Sequence, residues 1–347
     1  MSSLETNRYN LPLDRYNASA VTFAQSEELM KSRPTLPIAL LIVLCLAACR
    51  APVEKSEDVP LIRMATVLGR VMNPLAEALT RVLPAHFPAR IEVIRAGGTG
   101  NTARLIEEDK AEFVMVQTDL AFVAYNRGTP DLPRPYRKLR AVAVLYPSPL
   151  HFLATDASRI RTLADLRGKR VSIGLEGSST EFTVKSSLEG VGLGLDDFQA
   201  LHLSDDALKS EVKAGKVDAV LTRGNDPAPL IQELMHIPGI RMVPISRREA
   251  EQIRSRRPFM HSAVIAAGVY GDHPEIETVA VDTLMVCRED LPDDLVYWVT
   301  RTLFESLPDL VRSLNSMRQI DLDHVQASPI PLHPGAARFY RERELFQ

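Results

Sequence analysis

Along this chain the spacing of hydrophobic positions switches repeatedly between two and three-to-four residues. Residues 61–66 form a short apolar run. Val71, Leu75, Leu79 and Val82 then recur at helical spacing as far as Pro84. Residues 91–94 predict a strand. Residues 101–109 predict a short helix with Leu105 and Ile106 on one side. The unbroken apolar character of residues 113–116 predicts a buried strand. Residues 142–145 predict another, which 150–154 continue beyond an interruption at Pro147 and Pro149.

A second block repeats the alternation. Residues 163–166 read as one helical turn, 167–169 as a turn and 171–173 as a strand. Gly177 and the polar run after it open a helix carrying Val184 and Leu188. Strands are predicted at 200–203, 217–221 and 241–245, with helices near 205–214 and 227–236. A basic helix at 248–257 and a glycine-containing segment at 262–271 precede a long strand over 278–286. Helices near 293–306 and 308–316 and a proline-rich tail end the chain. The β-α-β order predicts an α/β fold with mostly parallel sheets flanked by helices. Two lobes follow: 61–147 with 278–347, and 148–277. The chain crosses between them near 146–150 and returns at 278–286. No fixed-period repeat is visible.

Candidate chemistry concentrates in residues 95–126. A glycine-rich turn holding Gly98, Thr99, Gly100 and Asn101 follows the strand at 91–94. Gln117, Thr118 and Asp119 follow the strand at 113–116. A strand that ends in a polar turn and opens a helix presents unpaired N–H groups and a partial positive charge. That suits a carboxylate or phosphate at the carboxyl ends of the strands. Ordinary helix capping is the competing reading, and Asp119 reads as an N-cap. Lobe two offers a matching helix start at Ser178, Ser179 and Thr180, where capping competes equally. Arg223, at a strand end, suits a bidentate grip on a carboxylate, against the alternative of a solvated surface arginine. Tyr146 lies where the blocks join and is positioned to pack on a ligand. His333 reads as structural, and Arg254, Arg256 and Arg257 as a solvated helix face.

Composition narrows the classes. Of 347 residues, 45% are hydrophobic and 24% charged, ordinary for a folded chain. Forty-one basic residues balance 44 acidic ones, which argues against nucleic acid as a general partner. Three cysteines, Cys45, Cys49 and Cys287, suit neither a zinc site nor a disulfide framework. No P-loop, dinucleotide fingerprint, H-E-x-x-H or G-x-S-x-G pattern occurs, so no cofactor and no enzymatic activity are expected.

Residues 30–48 combine a basic flank with an apolar run ending in Leu46, Ala47 and Ala48 before Cys49. This is a signal-peptide pattern, too short for a comfortable membrane span of about 20 residues. Leu46-Ala47-Ala48-Cys49 resembles the bacterial lipobox, which implies lipidation of Cys49; a plain signal peptide with an incidental cysteine is the alternative. Residues 1–29 are polar and unpatterned, an expected over-extension before a start at Met30. Residues 49–60 read as a tether.

The body resembles the TAXI family of solute receptors of TRAP transporters. The matching pieces are Ala96-Gly97-Gly98-Thr99 with Asn101, then Val116-Gln117-Thr118-Asp119 and Ala124-Tyr125-Asn126. Leu163 through Val171 (LADLRGKRV), Gly177-Ser178-Ser179-Thr180-Glu181 and Pro331-Leu332-His333-Pro334-Gly335-Ala336 also fit. Their order over the body carries the resemblance. It implies a two-lobed type II periplasmic-binding-protein fold and an extracytoplasmic receptor, in the periplasm or at the cell surface, held to a bacterial membrane through Cys49. Such a receptor captures a glutamate-like amino acid or dicarboxylate and delivers it to TRAP-type permease subunits. A sensory or orphan binding lipoprotein is the alternative. Two departures stand out. Only Gly69 and Pro74 keep the family's pattern in the turn after the first strand, and Arg223 replaces a small or apolar residue. Both point to an altered solute.

Overall fold

The computed structural model describes residues 59–66, 72–96, 102–129, 132–225, 227–313, 315–320, 324 and 327–343. The leader, Cys49, the tether up to residue 58 and the glycine-rich turn at 97–101 lie outside them.

Lobe one begins with strand β1 (Leu61–Thr66), helix α1 (Met72–Val82), strand β2 (Arg90–Arg95), helix α2 (Thr102–Glu107), strand β3 (Phe113–Gln117) and helix α3 (Thr118–Arg127). Strand β4 (Leu139–Thr155) leads into lobe two. There follow β5 (Arg170–Ser172), α4 (Ser179–Gly190), β6 (Gln199–Leu201), α5 (Asp205–Lys213), β7 (Ala219–Arg223) and α6 (Pro229–Met235). Then come β8 (Ile240–Met242), α7 (Arg247–Arg256) and β9 (His261–Ile265). Strand β10 (Ile276–Arg288) returns to lobe one, where α8 (Asp293–Glu305), α9 (Leu307–Ser313) and α10 (Pro334–Glu342) cover the sheet.

The strands join one sheet in the order β2-β1-β3-β10-β4-β7-β5-β6, with β8 on β4 and β9 on β10. The expected parallel pairing holds within each lobe, β1 with β2 and β3, and β5 with β6 and β7. The mostly parallel reading is corrected by the two long strands. β4 and β10 are antiparallel to each other, β10 is antiparallel to β3 and β9, and β4 to β7 and β8. The physical reason is that β10 runs back between lobes that β4 has already crossed. β9 falls within a segment that carries no strand prediction.

Apolar burial divides along these strands. In lobe one, Ile62, Leu79, Val296 and Phe339 pack on one sheet face and Ile106, Val114, Leu120 and Ile330 on the other. In lobe two, Phe152, Val171, Val184 and Ile253 pack on one face and Leu153, Leu208 and Ile231 on the other. Phe152 and Leu153 point to opposite faces because side chains alternate along a strand.

Pro147 and Pro149 do not interrupt β4. The Pro149 carbonyl accepts from Gly224 N (3.3 Å) and the Pro147 carbonyl from Asn225 Nδ2 (3.0 Å). A strand residue directs N–H and C=O to the same side. The two missing donors therefore face the edge beyond the end of β7, where no ladder partner waits. On the opposite edge the register with β10 slips between Asp282 and Leu284.

Each lobe carries the same clamp at the amino ends of its strands. In lobe one, Glu112 accepts from Arg63 N (2.7 Å), Nε (3.0 Å) and Nη2 (2.7 Å), and Arg63 Nη2 also donates to the Asp109 carbonyl (2.7 Å). In lobe two, Asp218 accepts from Arg170 N (2.8 Å), Nε (3.1 Å) and Nη2 (2.8 Å), and Arg170 Nη2 donates to the Gly215 carbonyl (2.8 Å). The backbone N–H of each acid returns a bond to the carbonyl of its arginine. Both carbonyl-bearing turns use a left-handed residue, Asp109 at φ 58° and Gly215 at φ 68°. Glu112 is buried and also receives Arg288 Nη1 at 3.2 Å, whereas the lobe-two pair is more open to water.

Glu112→Ala strips charged hydrogen bonds from two arginines and is expected to cost about 2 kcal/mol. Asp218→Ala is expected to cost less. Urea unfolding measures both, and an equal or reversed order would remove burial as the reason.

Candidate functional site

The predicted turns at 117–119 and 178–180 lie close together, joined by the bond from Thr183 of α4 to Asp119. β3 ends at Gln117, whose extended backbone makes it the N-cap of α3 without a side-chain cap bond. The Thr118 hydroxyl donates to the Phe259 carbonyl (3.2 Å) and accepts from Asp282 N (3.1 Å). Thr118 thus ties lobe one to lobe two, and its hydroxyl has no proton left for a ligand. Asp119 corrects its reading as an N-cap, because α3 starts at Thr118, two residues too early for that, and leaves Asp119 inside the first turn. Its Oδ1 accepts from Leu120 N (2.7 Å) and its Oδ2 from the Thr183 hydroxyl of α4 (2.5 Å). The carboxyl is buried. Desolvation pushes its pKa above the ordinary 3.8, against the pull of Thr183 and Arg223. Phe122 of α3 packs against Phe259 with ring centroids 5.3 Å apart.

On the lobe-two side Ser178 is a helix cap, its hydroxyl accepting from Glu181 N at 3.1 Å. Glu181 accepts in turn from Gly177 N (2.6 Å), Lys185 and His202. Thr180 packs its methyl over Gly174, where an added Cβ would come within 3.0 Å of it. Ser179, one residue on from the cap, is buried and accepts from Arg223 Nη2.

Arg223 is the centre of this cluster. It ends β7 opposite Leu150 of β4. Nη1 donates to the Ser148 hydroxyl (3.3 Å), Nη2 donates to Ser179, and Nε is buried without a partner. Among the described residues no carboxylate lies within ion-pair distance of it. Burial pulls its pKa down, while the charges of Asp119 and Tyr146 oppose the shift. The guanidinium stays charged, since arginine starts far above neutrality. The solvated-surface reading of Arg223 is therefore replaced by a half-buried cation whose buried Nε is left without a partner among the described residues. Tyr146 lies beside it, half-buried and hydrogen-bonded to Thr283, its phenol pushed up by burial.

Gly98, Thr99, Gly100 and Asn101 lie outside the described residues, as does Cys49. Ser148, Thr183 and Thr283 join the cluster without a sequence signal. His333 is fully buried and caps α10 through Gly335 N (3.1 Å). The arginines at the end of α7 are not simply solvated: Arg256 donates to the Gly190 carbonyl, and Arg257 to the Ser186 carbonyl and Glu189, near the end of α4. Among the described residues no group of His, Cys, Asp and Glu is suited to hold a metal.

This geometry sits in a chain whose residues 70–343 match the model of the NMT1-like family. The chain belongs to the NMT1-like family. Solved structures similar to this NMT1-like chain include XAC2383 from Xanthomonas citri bound to ATP, with 11% identity, 81% of this chain and 94% of that one covered, and a TM-score of 0.52. The same protein bound to chloride matches at 13% identity, with 81% and 95% covered and a TM-score of 0.51. The periplasmic aliphatic sulphonate binding protein SsuA from Escherichia coli matches at 15%, with 83% and 94% covered and a TM-score of 0.47. The likeness is one of fold: the NMT1-like chain has the expected two-lobed α/β architecture.

Asp119 gives the seam a pH dependence. Its folded pKa exceeds the unfolded value, so between the two the folded chain keeps a proton that the unfolded chain has released. Its contribution to stability is present below the unfolded value and is lost as pH rises through the folded one. Asp119→Asn is expected to flatten this part of the curve, read by urea unfolding at pH 4 and pH 7. An unchanged difference between the two pH values would show that the carboxyl does not titrate as described.

Proposed function

We propose that this chain is an extracytoplasmic solute receptor that captures a small organic anion, or the anionic group of an amino acid, between its lobes and hands it to a membrane permease. Arg223 carries the reading. It is a half-buried cation at the carboxyl end of a strand, bonded to the hydroxyls of Ser148 and Ser179 and near Tyr146, with a buried Nε that no described residue satisfies. A buried donor left unpaired is costly, and a bidentate carboxylate or a tetrahedral oxyanion would satisfy it. Gln117 and the glycine-rich turn with Gly98, Thr99, Gly100 and Asn101 complete the proposed site from lobe one. Capture biases an open–closed equilibrium toward the closed form.

Calorimetry with glutamate, succinate and methanesulfonate tests the anion. Arg223→Ala removes charged hydrogen bonds worth about 1.5–3 kcal/mol, or roughly 10–150-fold in affinity. Arg223→Lys, which keeps the charge without the fork, is expected to fall between. Unchanged affinity in Arg223→Ala would remove this residue from the site.

The TAXI resemblance supports a TRAP-type permease as the partner and Cys49 as the lipid anchor. Deleting TRAP membrane subunits is expected to abolish uptake of the captured solute; loss of uptake on deleting an ABC-type permease instead would overturn that partner. Mass spectrometry of the membrane-bound chain is expected to find lipidated Cys49 as its first residue. A mature chain starting elsewhere, or a peptide from residues 1–29, would overturn the anchor or the start at Met30.

A further inference from the structure

A cavity of about 560 Å3 lies at the lobe seam, lined in part by Thr118 and by Pro147, beside the Arg223 cluster. Neither Arg223 nor Tyr146, Ser148 or Ser179 lines it. Its apolar wall comes from Val144 and Leu145 of lobe one and Phe259 and Met260 of lobe two. Its charged groups include His261 and Asp282. His261 Nε2 stands 2.9 Å from Asp282 Oδ1, and His261 Nδ1 3.2 Å from the Ser262 carbonyl.

Both ring nitrogens thus face acceptors, the arrangement of an imidazolium with two donors. The Asp282 hydrogen bond raises the His261 pKa, against burial and the more distant charge of Arg254. The pair neutralises itself, and its donors are used. What remains is acceptor capacity: among the described residues Asp282 Oδ2 carries no hydrogen bond. The wall contains no lysine or arginine among the described residues. A carboxylate brings no proton for that free oxygen of Asp282, whereas an ammonium donates to it and finds apolar surface beside it. The volume suits a small molecule.

We propose that this cavity is a second binding site, for a small amphipathic amine whose ammonium donates to Asp282 and whose hydrocarbon lies along Val144, Leu145, Phe259 and Met260.

The test uses the whole chain labelled with methyl-13C methionine, the Met260 signal being assigned with Met260→Leu. Hexylamine, hexanol and hexanoate are titrated in turn. Hexylamine is expected to shift the Met260 methyl saturably and to bind at least tenfold more tightly than hexanoate. Asp282→Asn is expected to weaken hexylamine at least tenfold. Ala327→Trp, which adds bulk at an exposed position of the cavity lining, is expected to abolish the shift. Arg223→Ala is expected to leave amine binding unchanged, so failure here is distinguishable from failure of the anion site. Equal binding of hexanoate and hexylamine, no saturable shift in the unaltered chain, or full hexylamine affinity in Ala327→Trp would overturn the proposal.

Discussion

The pairing of β4 with β10 is the constraint on which the rest of this structure depends. Both strands pass through both lobes, and their ladder runs from Arg288 opposite Leu139 to Ala280 opposite Pro149. Every other strand is added to one of them, directly or through a neighbour. The faces of the sheet, the division of the core and the meeting of the helix starts all follow from that pairing. So does the position of Arg223, which ends β7 beside β4 where the two prolines leave the edge without donors.

Arg223 is then an energetic liability that the fold retains. A guanidinium removed from water without an ion-pair partner is costly, and the hydroxyls of Ser148 and Ser179 recover only part of the loss. Asp119 lies near enough to lower the cost electrostatically, but its carboxylate is committed to Thr183 and Leu120. Stability alone would favour an apolar residue at this strand end. In the proposed receptor, the solute itself is the missing partner.

Much of the fold was legible because its signals are local. Period changes located the lobe-forming strands and most helices, and Gly177 with Ser178 marked the start of α4. β9 escaped because only one of its five residues is buried and the rest alternate between half-buried and exposed, too weak a contrast to mark a strand. The twin clamps escaped because each joins residues 48 or 49 positions apart, with glutamate in one lobe and aspartate in the other. At the site, Arg223 was legible as a charge at a strand end. Its partner Ser148 lies 75 residues away and Ser179 44 away, distances that spacing cannot bridge. Asp119 was misassigned because Gln117, Thr118 and Asp119 are all polar, and only the structure fixes which of them precedes the first helical turn.

The slip in register beside Asp282 and the donorless prolines at 147 and 149 fall at neighbouring points of the two crossing strands. Fewer ladder bonds there make this a compliant stretch of the sheet. Bending about such a fulcrum is a rotation, and contacts close to it exert little torque. The contacts of α3 with Phe259 and Thr183 lie off the crossing strands. In mechanical terms α3 is the lever arm against which the lobes must work to part.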